Sequence, residues 1–266
     1  MGSVHVVERS GGGTRLAKRA VTMNGITTID PRGTARAIAR TMQTLERRFE
    51  VVADNLANVE TPGHKRLIAV PDGSSAETDD AEAGASLGAQ LTRDFTQGDL
   101  VESGDPTDLA LSGEGFFAIA VDSQVRFVRS VRLLQSPDGT LVDGKGMPLL
   151  GESGPVKVPA EAALVSVQPD GTVVADREPV GRLRVVTFVD PTQLQSEGGG
   201  RFVAPGGIEL VAAQGTLVQQ GYRERSNTDP VRELVEMIVV QRQYEAAQRA
   251  LATESELRQR LNELSG

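Results

Sequence analysis

Asn55-Leu56-Ala57-Asn58-Val59-Glu60-Thr61-Pro62-Gly63-His64-Lys65 closes a long amphipathic helix and turns the chain into a middle region that reads as β-structure. The side-chain amides of Asn55 and Asn58 compete for backbone hydrogen bonds, which suits helix ends. Pro62 pushes Thr61 out of the helical region, and Gly63 takes positive φ at little steric cost. Thr61-Pro62-Gly63 therefore stops the helix.

Upstream of this stretch, Asp30-Pro31 is a helix-starting pair: a capping carboxylate, then a ring pre-organised for the first helical position. Ala35, Ile38, Met42, Leu45, Phe49, Val52, Leu56 and Val59 then alternate steps of three and four, a heptad stripe, while Arg36, Arg40, Arg47 and Arg48 mostly take other faces. One amphipathic helix cannot bury such a stripe against itself, so it needs a partner. The far end supplies one. Asp229-Pro230 repeats the starting pair, and Met237, Val240, Tyr244, Ala247 and Leu251 keep the alternation. After a slip at Glu254, Leu257, Leu261 and Leu264 carry it onward.

Between the helices the pattern changes to short apolar runs broken by turns. Phe116–Val121 and Val125–Arg129 read as a hairpin, and Leu183–Val189 as the strongest single strand. Pro137-Asp138-Gly139-Thr140 and Pro169-Asp170-Gly171-Thr172 are matching turns with Gly where φ > 0 is wanted. Gly198-Gly199-Gly200 reads as a loose loop, and the acidic, small-residue stretch 71–90 as a linker or exposed loop. Asp138 and Asp170 occupy turn positions that use a carboxylate locally, so they do not make a catalytic pair. Gly113-Glu114-Gly115 is followed by no Lys-Ser/Thr and is not a nucleotide loop.

Composition narrows the function classes. A net charge of −8 argues against nucleic acid as a partner. There is no cysteine, hence no disulfide framework or thiol chemistry, and His5 and His64 alone leave little for a zinc site. No apolar run reaches the length of a membrane span, and the start lacks the apolar core of a cleavable signal peptide. No catalytic, cofactor-binding or metal-binding residue is expected, and no small-molecule substrate.

Three blocks carry a family resemblance. Asn55, Leu56, Ala57, Asn58, Thr61, Pro62, Gly63 and Lys65 resemble the N-terminal signature of bacterial flagellar rod, hook and hook-associated proteins. Asp94-Phe95-Thr96-Gln97-Gly98, followed by Asp108-Leu109-Ala110-Leu111-Ser112-Gly113-Glu114-Gly115-Phe116-Phe117, is similar to the family's middle stretch. Ser226-Asn227, Met237-Ile238 and Gln241-Arg242-Gln243-Tyr244-Glu245 resemble its C-terminal signature. The departures are His64 for an aromatic Tyr or Phe, Glu60 for Asn or Ser, and Thr228-Asp229-Pro230 for a hydrophobic-Asn run.

The resemblance implies a structural subunit, not an enzyme. It would leave the cell through the flagellar type III export apparatus without a cleaved signal, and stack helically with itself and other rod and hook axial proteins. The place implied is the basal-body rod in the periplasmic space, transmitting torque. The short spacer between Lys65 and Asp94 and the run Gly151–Pro159 favour the proximal-rod type over the distal. Outside the family, the alternative is a secreted β-domain binding module on a coiled-coil stalk.

The expected fold is α+β: long N- and C-terminal helices pairing as a coiled coil, with an inserted, mainly antiparallel β domain. The divisions are a disordered tail at 1–22, helix and elbow at 23–66, acidic linker at 67–93, β-rich outer domain at 94–224, and C-terminal helix at 225–266. The resemblance places family members' starts near Met23, so the tail is either a mis-assigned extension or an export segment. Gly113, Gly115, Phe116, Phe117, Ser226, Asn227, Met237, Gln241, Arg242, Tyr244 and Glu245 join the N-terminal block as candidate assembly residues. The helix stripe adds Ile38, Met42, Leu45, Phe49, Val52, Val240, Ala247 and Leu251. The sparse apolar stripes set burial of roughly 1.5–3 kcal/mol per side chain against backbone ordering of about 1–2 kcal/mol per residue. Both termini are therefore expected to be frayed in the free subunit and to order on assembly.

Overall fold

The computed structural model describes residues 31–71, 89–122 and 124–265. The expected N-terminal tail, the Met23 start and most of the acidic stretch lie outside them. Two helices and a set of antiparallel strands make an α+β fold. Helix α1 spans Pro31–Ala57 and helix α2 spans Pro230–Ser265, each starting at the predicted proline. Asp229 caps α2, accepting from the backbone N–H of Val231 at 2.9 Å and of Arg232 at 3.2 Å.

The helices pack antiparallel. Asn55 meets Glu233, Arg48 pairs with Glu236, and the Tyr244 hydroxyl donates to Glu46 at 3.0 Å. Leu45, Val52 and Val240 are buried in the seam. Ile38, Met42, Met237, Tyr244, Ala247 and Leu251 are half-buried along it. Phe49 departs from the expected stripe and is 42% exposed. A straight helix drifts relative to a strict heptad, so the covered face of α1 swings toward Arg48, Val51 and Asn55 and leaves Phe49 on the flank. Leu257, Leu261 and Leu264 are also exposed, because the covered face of α2 continues through Glu254 and Arg258 instead.

The β region centres on a six-stranded antiparallel sheet: Gln195–Gly198, Arg201–Val203, Gln124–Val128, Phe116–Val121, Val185–Phe188 and Leu210–Ala212, in that spatial order. Phe116–Val121 and Gln124–Val128 form the predicted hairpin. Successive residues of a strand point to opposite faces, and here both faces are covered. Phe117 and Ile119 enter one core with Leu109, Leu111 and Leu141; Phe116 and Ala118 enter a second with Phe127, Phe188 and Phe202. The rings of the second core meet edge-on, Phe127 and Phe188 at 4.9 Å between centroids.

Three expectations change here. Residues 67–71 and 89–93, read as linker, pair as antiparallel strands. The strand expected over Leu183–Val189 is limited to Val185–Phe188; Leu183 is a buried core residue before it, and Val189 is 71% exposed after it. Gly198-Gly199-Gly200 is a tight hairpin tip, all three residues at positive φ, between strands Gln195–Gly198 and Arg201–Val203.

The turn carboxylates behave as local staples. Asp138 and Asp170 each accept from the hydroxyl of the Thr two residues on, at 2.7 and 2.9 Å. Asp105 and Asp190 do the same with Thr107 and Thr192, at 2.7 and 2.5 Å. Asp-x-Thr is thus a recurrent turn device of this chain; its hydrogen bonds hold the Asp105, Asp170 and Asp190 carboxyls below their ordinary value, and at Asp138 the Ser136 hydroxyl leads with Thr140 adding to it.

Candidate functional site at the elbow

The signature stretch after α1 builds a polar joint where both helices, the hairpin Leu67–Pro71/Ala89–Arg93 and the β region converge. Asn58 closes the helix: its side chain donates to the Asp54 carbonyl at 2.8 Å, and its own carbonyl accepts from Thr61 N–H at 3.0 Å. Gly63, at φ 68°, then donates to the Glu224 carbonyl at 2.8 Å. A Cβ at Gly63 would lie 3.0 Å from the Arg129 Cβ. The elbow is glycine because backbone conformation and close approach both require it.

Asn55 is fully buried and clips the outgoing chain. It donates to the Leu67 carbonyl at 2.9 Å and accepts from Leu67 N–H at 2.7 Å. Its amide also reaches Glu233 at 3.4 Å. Asn227 does the same from the other signature, accepting from Arg66 N–H at 2.7 Å and donating to the Asp94 carbonyl at 2.8 Å. Two asparagines far apart in sequence thus staple one crossing. Ser226 accepts from Thr228 N–H at 3.2 Å beside it.

Beneath the clips lies a buried charge knot. Glu224 is fully buried; Oε1 accepts from Lys65 Nζ at 2.6 Å and Oε2 from Arg129 Nε at 2.8 Å. Lys65 also donates to the Thr96 carbonyl at 2.6 Å. Arg129 is tied into the β core through the carbonyls of Gly115 and Leu111. Beside it, buried Glu233 accepts from Arg66 Nε at 2.6 Å. Burial pulls the Lys65 ammonium below its ordinary value, while the Glu224 carboxylate works to keep its proton on. Burial also pushes the His64 imidazole down to about 4, with the Arg93 guanidinium adding to the effect. His64 is 4% exposed and its Nε2 has no hydrogen-bond partner.

Of the candidate residues, the joint brings together Asn55, Asn58, Thr61, Gly63, Lys65, Ser226 and Asn227, with Pro62 on its surface and Leu56 half-buried at its edge. Gly113 and Gly115 shape the turn before buried Phe116 and Phe117, and Gly115 meets the joint through its carbonyl. Ala57, Gln241, Arg242 and Glu245 are exposed and take no part in it. The joint also uses Arg66, Arg93, Arg129, Glu224 and Glu233, which motif reading did not single out. Signals for two of them existed. Glu233 falls on the apolar stripe, four residues before Met237 and seven before Val240. Arg129 falls two residues after Phe127, on the same face of the strand predicted over Val125–Arg129. A charge at an apolar period position is a mark of a buried partner.

The geometry ties distant segments of the one chain together. Among the described residues no His, Cys, Asp or Glu group is arranged to hold a metal ion, and no described helix is long and apolar enough to cross a membrane.

Comparison with known proteins agrees with the three signature blocks. Residues 36–65 match the family described as flagella basal body rod protein, 110–175 the flagellar hook protein FlgE/F/G D1 domain, and 219–264 the flagellar basal body rod FlgEFG protein C-terminal. The chain is similar to the flagellar basal-body rod protein FlgF of Salmonella typhimurium, 32% identical over 248 residues, covering 86% of this chain and 96% of the relative. It is also similar to FlgF of Caulobacter vibrioides (29%, covering 80% and 90%) and to the rod protein FlgG of Agrobacterium fabrum (29%, covering 84% and 96%). The knot takes Lys65, Arg129 and Glu224 from the three matched segments in turn.

Proposed function

We infer the role of this chain from a premise the comparisons establish: it belongs to the flagellar basal-body rod protein family. It is a structural subunit of the flagellum and not an enzyme, and it assembles with other rod and hook proteins.

Beyond that premise, we propose that the subunit polymerises helically through α1 and α2, paired as a coiled coil, and transmits torque along the rod. The supporting observation is the two-sided character of α2. Its inner face is covered by α1, while Val231, Leu234, Val235 and Ile238 on the outer face are 68%, 48%, 57% and 53% exposed. An apolar stripe of that kind is a partner surface. Beside the seam, Leu45, Phe49, Val240 and Tyr244 line an open groove of about 340 Å³, a second apolar surface for a neighbouring subunit. The signature positions of the elbow serve assembly indirectly, by setting the direction of the helix pair. The divisions at 23–66, 94–224 and 225–266 become, in this reading, two assembly helices around an outer β domain.

The proximal-rod type is the reading favoured within the family, on the short spacer between Lys65 and Asp94 and the Gly151–Pro159 run. The subunit travels through the flagellar type III export apparatus without a cleaved signal peptide and is placed in the periplasmic rod.

A tag on the β region, located by electron microscopy of purified basal bodies, tests both levels. Label at the inner end of the rod supports the proximal type, and label near the outer rings assigns the chain to the distal type. A protein found only off the rod would remove the assembly proposal.

A further inference from the structure

We propose that Glu224, together with the Gly198–Gly200 hairpin tip, locks the elbow, so that the free subunit already carries its helix pair at one fixed angle to the β region. Ordering on assembly is then confined to the distal parts of the helices.

Glu224 is the hinge pin. Both carboxylate oxygens are used, Oε1 by Lys65 and by Gly98 N–H at 3.2 Å, Oε2 by Arg129. Lys65 moves with the elbow; Arg129 is held in the β core by two carbonyls. Swinging the helix pair would separate Lys65 from Glu224 and from the Thr96 carbonyl, stranding charges in a dry interior. Removing one partner of a buried pair is strongly unfavourable for this reason.

Steric contact closes the remaining freedom. A Cβ at Gly200 would lie 2.6 Å from the Pro62 carbonyl oxygen, so the hairpin tip rests directly on the turn. On the far side a Cβ at Gly98 would lie 2.1 Å from the Arg225 carbonyl oxygen, so the chain entering α2 is gripped as closely. The joint is clamped from two sides and pinned at its centre. The lock is a property of the single chain and holds wherever along the rod the subunit sits.

The chain has no cysteine, so two introduced ones can be labelled uniquely. Spin labels at Arg47→Cys on α1 and Glu209→Cys on the β region, both exposed positions, report the angle in the free full-length subunit. The expected result is a single narrow distance. Glu224→Gln leaves Lys65 and Arg129 facing a neutral amide, and Gly200→Val pushes the hairpin off Pro62 without touching the charges. Each is expected to broaden the distance distribution, and Glu224→Gln to lower amide-exchange protection of Gly63 and Leu67 by roughly 100-fold or more. Protection of Leu149 and Val156, deep in the β core, is expected to stay unchanged in both variants. A broad distribution in the parent protein, or a narrow one in both variants, would overturn the lock. So would loss of Leu149 and Val156 protection along with the elbow in both variants, since the residues would then hold the core and not the joint.

Discussion

At His64 a titratable ring is kept neutral by burial, helped by the Arg93 and Lys65 charges and opposed by the Asp54 carboxylate. Its folded-state pKa, about 4, lies below the 6.5 of an ordinary imidazole. Between those values the unfolded chain holds a proton that the folded chain does not, so stability rises with pH across that window and is lost as pH falls through it. The slope should approach 1.4 kcal/mol per pH unit, up to roughly 3 kcal/mol in total. Urea unfolding from pH 4 to 7 measures it, and His64→Phe should flatten the profile in that window. Asn55 makes the second residue-scale prediction. Asn55→Ala leaves both backbone groups of Leu67 unpaired, and should destabilise by about 2–4 kcal/mol at constant denaturant slope. A loss within 0.5 kcal/mol would mean that water takes over the clip. Both residues stand in the Asn55–Lys65 stretch, Asn55 as a signature residue and His64 as a departure from it. The reason the clip needs Asn, an amide facing the N–H and C=O of one residue in another element, is absent from the local pattern.

The two helices differ in how much of their surface the fold uses. α1 presents one covered face, whereas α2 has apolar residues on opposite sides, so its inner and outer substitutions should separate. Leu45→Ala empties a packed position in the seam and should cost the free subunit roughly 2–4 kcal/mol. Ile238→Asp lies on the open side and should leave monomer stability within about 0.5 kcal/mol while preventing incorporation into basal bodies. Thermal unfolding of the purified protein and immunoblotting of purified rods check the pair. Helix starts and lengths were legible, because capping and the Asp-Pro pair act within one turn. The stripe that α2 turns toward α1, Met237, Val240, Tyr244, Ala247 and Leu251, was legible as well, whereas the outward stripe of Val231, Leu234, Val235 and Ile238 was not, since only the position of α1 shows that it stays uncovered.

Across the whole molecule, stability is expected to be graded outward from the elbow. The register set by Glu46 and Tyr244 places Pro31 opposite about residue 259, at equal rise on both helices. The last turns of α2 therefore run past the described start of α1, with Leu261 and Leu264 at 59% and 86% exposure. Hydrogen exchange of the free subunit should show strong protection near Val52, Asn55 and Val240, falling toward Ile38 and toward Leu257. On this prediction, the expected fraying of both termini is confined to the far ends of the helices. Uniform protection from 35 to 260 would contradict the gradient. Fast exchange throughout, elbow included, would contradict the lock.

The sequence by itself determined the elements whose causes are local. The Thr-Pro-Gly stop, the two Asp-Pro starts, the Asp-Gly-Thr turns and the Phe116–Val128 hairpin all follow from φ restriction, capping and periodicity within a few residues. It also carried the family signatures at both ends. Only the tertiary structure decided what the signatures hold together. Lys65 and Glu224 are 159 residues apart, Arg129 and Glu224 95, and Arg66 and Glu233 167. Position on an apolar period marks Glu233 as a buried charge, but nothing in either partner's neighbourhood says which distant residue pairs with it. The glycine hairpin is the same case: three glycines specify a turn, and only the approach of Pro62 makes that turn a clamp.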